Sequence, residues 1–219
     1  LLTWLVVVAA TPLNLGAEGT EFSIISGSGL RVATRQIAAS GVPLNEFHFN
    51  LLARITGKGS HIKAGSYELD QGATPWLLLQ KISSGEVLLV EVRFIEGVTF
   101  AQMRATLDGM DTVRHDTRGL SDREIMARLG APDDAPAEGM FFPDTYLFAK
   151  GEPDLQILAR AYRLMQKKLE TVWNDRATEL PYKTRFEALI LASIIEKETG
   201  DPAERPLIAG VFNNRLRIG

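Results

Sequence analysis

The 219-residue sequence predicts an α+β fold, in which a small α/β module precedes a mainly helical second half. Segments that alternate apolar and polar residues, as strands do, lie before residue 100, whereas from residue 155 onward the apolar residues recur at helical spacing. A hydrophobic content of 45% over this length is enough for a sizeable core and one or two domains.

The first module, residues 21–95, has the order strand, helix, helix, strand. We predict a strand at 21–25, helices at 30–39 and 45–55, a strand at 64–69, a helix that begins with Pro75 at its first position, and a strand at 87–95. The order of the first four elements is typical of a LysM-like carbohydrate-binding module. A generic α/β unit with no ligand can have the same order.

The second half begins with connecting helices and a linker at 96–137. We predict a helix at 100–107, a loop at 108–119, a helix that follows the Ser-x-x-Glu capping box at Ser121, and a linker at 130–137. Three helices then follow: a long amphipathic one at 155–178, an apolar one that ends near Gly200, and a last one at 203–216.

Composition excludes several classes of function. The net charge is −3, and no basic stripe with interleaved aromatic residues is visible, so we expect no nucleic-acid partner. The absence of cysteine excludes disulfides, thiol catalysis and cysteine-based zinc sites. The histidines, His48, His61 and His115, are far apart and share no ligand spacing, so we expect no metal site and no cofactor.

The sequence opens on an apolar run, Leu1 to Ala10, and does not begin with Met. The run is too short to cross a bilayer, which takes about 20 residues. We interpret residues 1–15 as the remnant of an N-terminal transmembrane anchor. A signal-peptide core and a buried strand are the alternatives.

Two glutamates, Glu196 and Glu198, end the apolar segment FEALILASIIEKETG, residues 186–200. A helix that is apolar nearly all round is expected to be buried, and a carboxyl group at its end could hold a proton near neutral pH. Two residues apart on a helix, the side chains point roughly 200° from each other, so only one can face a given cleft. The alternative is a solvated last turn with Gly200 at C′.

A second unusual string is EGMFFPDTY, residues 138–146, in which aromatic residues lie beside carboxylates. Aromatic faces can stack on sugar rings while carboxylates bind the hydroxyl groups, which suits a carbohydrate site. The alternative is a turn that packs into the core and is made rigid by Pro143.

Together with LPYKTRFEALILASIIEKETG (180–200) and ERPLIAGVFNNRLRIG (204–219), this string resembles the endolytic murein transglycosylase (YceG-like) family. The strings HIKAGSYEL (61–69) and FIEGVTF (94–100) are also similar to the family's first subdomain. The resemblance covers nearly the whole chain. It implies a LysM-like subdomain at 21–95 and a mainly helical, lysozyme-like catalytic domain at 138–219. The family continues beyond the Asn-Arg-Leu string, so we expect this domain to be incomplete here.

The resemblance also implies roles for individual residues. It places the catalytic glutamate at Glu198, with Glu196 as the alternative. The substrate-binding residues that it suggests, or that the aromatic string supplies, are Glu138, Phe142, Asp144, Tyr146, Thr199, Asn213, Asn214 and Arg215. Thr199 could orient Glu198 by a hydrogen bond, or it could only cap the helix.

The implied reaction is cleavage of the β-1,4 bond between N-acetylmuramic acid and N-acetylglucosamine in peptidoglycan, without water. One carboxyl group serves as acid and then as base, and a 1,6-anhydro end remains. The family's members are single-pass proteins of the bacterial inner membrane whose catalytic domain faces the periplasm, and cell-wall synthesis enzymes are further candidate partners. The alternatives are a hydrolytic muramidase, which needs a second carboxylate such as Glu138 or Asp144, and a non-catalytic wall-binding scaffold.

Overall fold

The computed structural model describes residues 2–16 and 19–218, which divide into two compact units. The first unit contains the described residues up to Val90 together with Leu147–Gly151. The second contains Glu91–Tyr146 and the described residues from Glu152 onward.

The helices and strands of the first unit begin with a helix at the N-terminus. They are α1 (Leu2–Ala10), β1 (Thr20–Ile24), α2 (Leu30–Ala39), α3 (Glu46–Ile55), a 3-10 turn (Lys58–Ser60), β2 (Gly65–Leu69) and α4 (Pro75–Ser84). Strand β3 (Leu89–Arg93) passes from the first unit into the second. The second unit then contains α5 (Phe100–Asp108), α6 (Asp122–Arg128), the start of β4 (Thr145–Ala149), α7 (Asp154–Asn174), α8 (Arg185–Glu198) and α9 (Arg205–Ile218).

The predicted order of strand, helix, helix and strand is confirmed in the first unit. Strands β1 and β2 pair antiparallel, with Phe22 opposite Tyr67. The rings of these two residues stack with their centroids 5.4 Å apart. They belong to a core that also takes buried side chains from α2, α3 and α4, among them Ile37, Leu52, Leu78, Leu79 and Ile82.

Strands β3 and β4 form a second two-stranded sheet. At one end Lys150 N–H donates to Leu88 O, and at the other Phe94 N–H donates to Asp144 O, which gives the strands opposite directions. We predicted β3 but not β4, which interrupts the helical second half. The segment Thr145–Ala149 alternates exposed and buried side chains, a strand pattern that five residues beside a proline-containing turn make hard to recognise.

Helix α6 begins as the sequence predicts. Ser121 Oγ accepts a hydrogen bond from Glu124 N–H, and the Glu124 carboxylate accepts one from Ser121 N–H at 2.7 Å. The reciprocal pair satisfies backbone donors that a helix start would otherwise leave open. Thr99 and Gln102 form the same arrangement at the start of α5, which the sequence analysis did not single out.

A buried carboxylate holds the loop before α6 against the start of α7. Asp154 is fully buried and accepts hydrogen bonds from the backbone N–H groups of Asp116, Thr117 and Leu155 and from the Thr117 hydroxyl. A buried charge is tolerated when it is fully hydrogen-bonded, and a negative charge at a helix N-terminus is further stabilised by the helix dipole.

Helix α8 is less buried than its composition predicts. Leu191 is its only buried side chain, whereas Ile190 and Ile194 are 46% and 40% exposed. Among the described residues α8 packs chiefly on α7 and α9, which leaves part of its apolar surface uncovered. The expectation of a helix buried all round is therefore wrong for the described chain.

The apolar N-terminal run forms the short helix α1, and its first residue lies outside the described ranges. Within those ranges no helix has both the length and the apolar character that crossing a membrane requires.

Replacing Asp154 should destabilise the second unit strongly. Asp154→Ala leaves several buried N–H groups without an acceptor, and we expect a loss of about 2–4 kcal/mol in the free energy of unfolding. Urea unfolding measures this loss. The control is Asp134→Ala, which removes an aspartate from an exposed loop position. Equal stability of the two variants would show that the Asp154 hydrogen bonds contribute nothing net.

Candidate active site

The N-terminus of α5 brings together three of the strings that the sequence analysis singled out. Glu138 Oε2 accepts a hydrogen bond from Phe100 N–H at 2.9 Å. Lys197 Nζ, from the last turn of α8, donates to Gly97 O at 2.9 Å. The segments 94–100, 138–146 and 186–200 therefore meet at one point of the second unit.

Glu138 has a structural partner at this point. The first N–H groups of a helix have no partner inside it, and the Glu138 carboxylate supplies one for Phe100. Its negative charge also lies at the positive end of the α5 dipole. The segment continues against α8, since a Cβ added at Gly139 would lie 3.8 Å from Leu189 Cδ2. Substrate binding by Glu138 stays a prediction.

The last turn of α8 is held to its surroundings on both sides of Glu198. Glu196 forms an ion pair with Arg205 at 2.9 Å. The Thr199 hydroxyl donates to Glu204 Oε2 at 2.7 Å and accepts from Asp201 N–H at 3.0 Å. These contacts join the end of α8 to the segment that leads into α9, while Lys197 joins it to Gly97.

Glu198, the last residue of α8, is exposed, and it has no hydrogen bond or ion pair within the described part of the chain. The enclosed, apolar surroundings that we expected for it are therefore not observed. Because the Thr199 hydroxyl is committed to Glu204 and Asp201, it does not bind Glu198. The Glu198 carboxyl group is therefore accessible to a ligand.

The different environments of Glu196 and Glu198 match their divergent directions on the helix. The Glu196 carboxylate is paired with the Arg205 guanidinium, which occupies one of its oxygens. Glu198 has no such partner among the described residues. The geometry therefore favours Glu198 as the residue that transfers protons, although its catalytic role stays a prediction.

The aromatic string is divided between the core and the surface. Phe141 is buried, and its ring stacks on Phe100 with the centroids 4.5 Å apart. Tyr146 is also buried, and its hydroxyl donates to Phe142 O at 2.6 Å. These contacts favour the core-packing alternative for Phe141 and Tyr146.

Two members of the string are more accessible. Phe142 is half-buried, and Lys168 Nζ lies 5.6 Å from the centroid of its ring. Asp144 is exposed, and one of its carboxylate oxygens accepts from the adjacent Thr145 N–H. Phe142 and Asp144 can still meet a ligand, and their substrate-binding roles stay predictions.

The Asn-Asn-Arg string lies on α9, which packs on α8. Asn214 and Arg215 are exposed. Asn213 is half-buried, and its Oδ1 is enclosed with no hydrogen-bond partner among the described residues. A buried acceptor without a donor is unfavourable, so Asn213 is suited to a donor group that a ligand or a further segment supplies.

Within residues 2–16 and 19–218, one group of side chains has donor atoms close enough to be considered for a metal. Atoms of Asp108, His115 and Asp154 all lie within 4.8 Å of one another. The Asp154 carboxylate already accepts from four donors, and His115 Nδ1 lies 3.9 Å from Asp108. The group is therefore explained by the packing of the loop, and the expected absence of a metal stays a prediction.

Sequence reasoning missed the residues that fix the end of α8. Gly97, Lys197, Glu204 and Arg205 had no assigned role, although each lies inside a string that carries the family resemblance. Their contacts join positions that are distant in sequence or follow a bend between helices, so no local pattern predicts them.

Comparison with known proteins gives consistent results. The family model described as the YceG-like family matches residues 22–219. The endolytic murein transglycosylase of Bacillus subtilis is 26% identical over 222 residues, which cover 90% of this chain and 59% of that protein. The protein of the same name from Streptococcus pneumoniae is 24% identical over 220 residues, covering 88% and 39%. The chain thus spans less than two thirds of the length of these relatives.

Among solved structures, a putative YceG-like protein from Listeria monocytogenes is similar to this chain. The sequences are 22% identical, the match covers 91% of this chain and 71% of the other, and the TM-score is 0.40.

Because Tyr146 is buried, the folded protein should become less stable at alkaline pH. Burial, with a further contribution from Asp144, raises the pKa of Tyr146 to about 12, above its ordinary value of about 10. Since the folded state holds this proton more tightly, the stabilisation is complete below pH ~10 and is lost as the pH rises toward ~12. Tyr146→Phe should remove this part of the pH dependence.

Absorbance titration of tyrosinate and urea unfolding at several alkaline pH values measure the effect. We expect the wild-type minus Tyr146→Phe difference titration to have its midpoint near pH ~12. A midpoint near the ordinary tyrosine value, with parallel stability curves for the two proteins, would contradict the buried placement.

Proposed function

Because the chain belongs to the YceG-like family, we propose that it is a lytic transglycosylase of peptidoglycan in which Glu198 serves as both acid and base. The substrate is the glycan strand, and the bond cleaved is the β-1,4 bond between N-acetylmuramic acid and N-acetylglucosamine. The named relatives support this reaction type.

The observation that carries the proposal is the contrast within one turn of α8. Glu196, Lys197 and Thr199 each have a partner elsewhere in the second unit. Glu198 lies between them with an exposed and unpaired carboxylate, within the described residues. A group that transfers protons must reach the substrate and must be held in place, and this arrangement provides both.

The proposed reaction uses the Glu198 carboxyl group twice. In its protonated form it donates to the glycosidic oxygen, O4 of N-acetylglucosamine, as the bond from that oxygen to C1 of N-acetylmuramic acid breaks. The carboxylate then accepts the proton of the muramyl 6-hydroxyl as its oxygen bonds to C1. Water is not consumed, the carboxyl group is restored, and the product ends in a 1,6-anhydro sugar.

One of the two other candidate carboxylates, Glu138, already has a structural role, which favours a single catalytic group. A hydrolytic muramidase needs a second carboxylate that activates water or attacks C1. The candidates were Glu138 and Asp144. The Glu138 carboxylate accepts from the start of α5, and Asp144 accepts from the N–H group of its own neighbour.

The other parts of the chain suggest how the enzyme reaches its substrate. We infer that the first unit is a LysM-like module that binds glycan, because its strand, helix, helix and strand enclose one core around an antiparallel pair. The helix α1 is apolar, and its Val6 and Val7 are exposed. We infer that this region attaches the protein to the bacterial inner membrane, with the catalytic part outside the cytoplasm, where the proposed glycan substrate lies.

Such a position would place the enzyme beside newly made glycan strands. We infer that its cleavage ends strand elongation and that cell-wall synthesis enzymes are its partners. We also propose that the catalytic domain is lysozyme-like.

Exchange of the two glutamates by glutamine should separate their roles. Glu198→Gln should fold normally and lose turnover by at least ~10²–10⁴-fold, since it cannot transfer protons. Glu196→Gln should keep most activity and lose about 0–1 kcal/mol of stability, because it weakens only a partly exposed ion pair. Mass spectrometry of the muropeptides that the full-length protein releases from purified peptidoglycan measures the turnover of both variants. Urea unfolding measures the stability of Glu196→Gln.

The two variants control for each other, because each removes one charge from the same turn. An active Glu198→Gln protein beside an inactive Glu196→Gln protein would transfer the catalytic role to Glu196.

A further inference from the structure

The hydrogen-bond partner of Lys197 is unusual. It lies between two glutamates in the sequence, yet it forms no ion pair in the described chain. Its ammonium instead donates to a neutral carbonyl oxygen, Gly97 O, at 2.9 Å and across 100 residues of sequence. A single exposed contact of this kind contributes little to the free energy of folding, so any larger effect must come from the two segments that it joins.

The carbonyl lies on a well-fixed turn. Gly97 has a φ of +78°, which favours glycine, and Val98 N–H donates to Ile95 O across the turn. A Cβ at position 97 would lie 3.4 Å from Lys197 Nζ. The helix that follows is capped by Thr99 and by Glu138, so the turn is anchored to the body of the second unit.

The other partner is a helix end, which tends to fray because its last carbonyl groups have no partner within the helix. Two contacts, Glu196 with Arg205 and Thr199 with Glu204, hold one side of this end to the segment that enters α9. The contact of Lys197 with Gly97 holds the other side to the turn before α5. Glu198 projects from between these two attachments.

We propose that Lys197 is a positioning residue, which fixes the direction of Glu198 by holding the last turn of α8 to Gly97 O. This inference rests on the proposed function of Glu198. Lys197 does not bind the substrate. Its removal lets the turn move, and a shift of about 1 Å in a catalytic group can cost ~10²-fold in rate.

The first test compares Lys197→Met, Lys197→Arg and a control, Lys167→Met, which removes a charge from the exposed surface of α7. In the full-length protein we expect Lys197→Met to lower kcat by about tenfold or more, with KM within about twofold and Tm close to that of the control. Arginine can donate to the same carbonyl and should restore most of kcat.

Two outcomes would overturn the proposal. If kcat of Lys197→Met equals that of Lys167→Met, the contact does not position Glu198. If KM rises while kcat is unchanged, Lys197 contacts substrate instead.

A double-mutant cycle identifies the partner. Gly97→Ala strains the turn and crowds the ammonium, so it should lower kcat by itself. If both residues act through one contact, the double variant should be little worse than the poorer single variant, whereas multiplied losses would mean independent effects and would reject Gly97 as the partner.

A readout without catalysis separates this inference from the proposed function. Amide hydrogen exchange should become faster for residues 95–101 and for the end of α8 in Lys197→Met but not in Lys167→Met. If wild-type protein does not cleave glycan strands, the proposed function fails, and this exchange pattern still decides whether the contact holds the turn. Unchanged exchange in Lys197→Met would overturn the positioning role.

Discussion

The arrangement of the second unit depends on the hydrogen-bond acceptors that the first backbone N–H groups of α5 require. A helix start leaves backbone N–H groups unsatisfied, and here Thr99 and the Glu138 carboxylate satisfy them. Glu138 comes from 38 residues further along the chain, so the cap also fixes the aromatic segment that follows it. The stacking of Phe100 on Phe141 extends the same attachment into the core. The turn that accepts the hydrogen bond of Lys197 lies directly before this capped helix start.

The charges at the end of α8 are arranged so that one carboxylate remains available. Arg205 neutralises Glu196, and Lys197 turns away from both glutamates to a carbonyl oxygen. An ion pair between Lys197 and Glu198 would oppose the proposed role of Glu198 as an acid, because a neighbouring cation favours an ionised carboxylate. The contacts that secure the turn thus leave Glu198 unpaired among the described residues.

The sequence predicted those features that local patterns determine. The capping box at Ser121, the long helix α7 and the order of β1, α2, α3 and β2 follow from spacing and turn residues. Strand β4 was missed because its partner β3 lies more than fifty residues earlier and the segment is short. The burial of α8 was overestimated because apolar residues on every side of a helix do not reveal which sides have neighbours. The family strings indicated Glu198, but the contacts that distinguish it from Glu196 come from Gly97, Glu204 and Arg205, and only the folded chain brings these together.

The central claim is that one carboxyl group cleaves the glycan strand without water. Digestion of peptidoglycan in water enriched in oxygen-18, followed by mass spectrometry of the new muramyl ends, tests it most directly. A transglycosylase closes the muramyl 6-hydroxyl on C1, so the new ends should be anhydro sugars that contain no solvent oxygen. Reducing ends that contain oxygen-18 would show that water attacks C1, and that a second catalytic group must be sought beside Glu198.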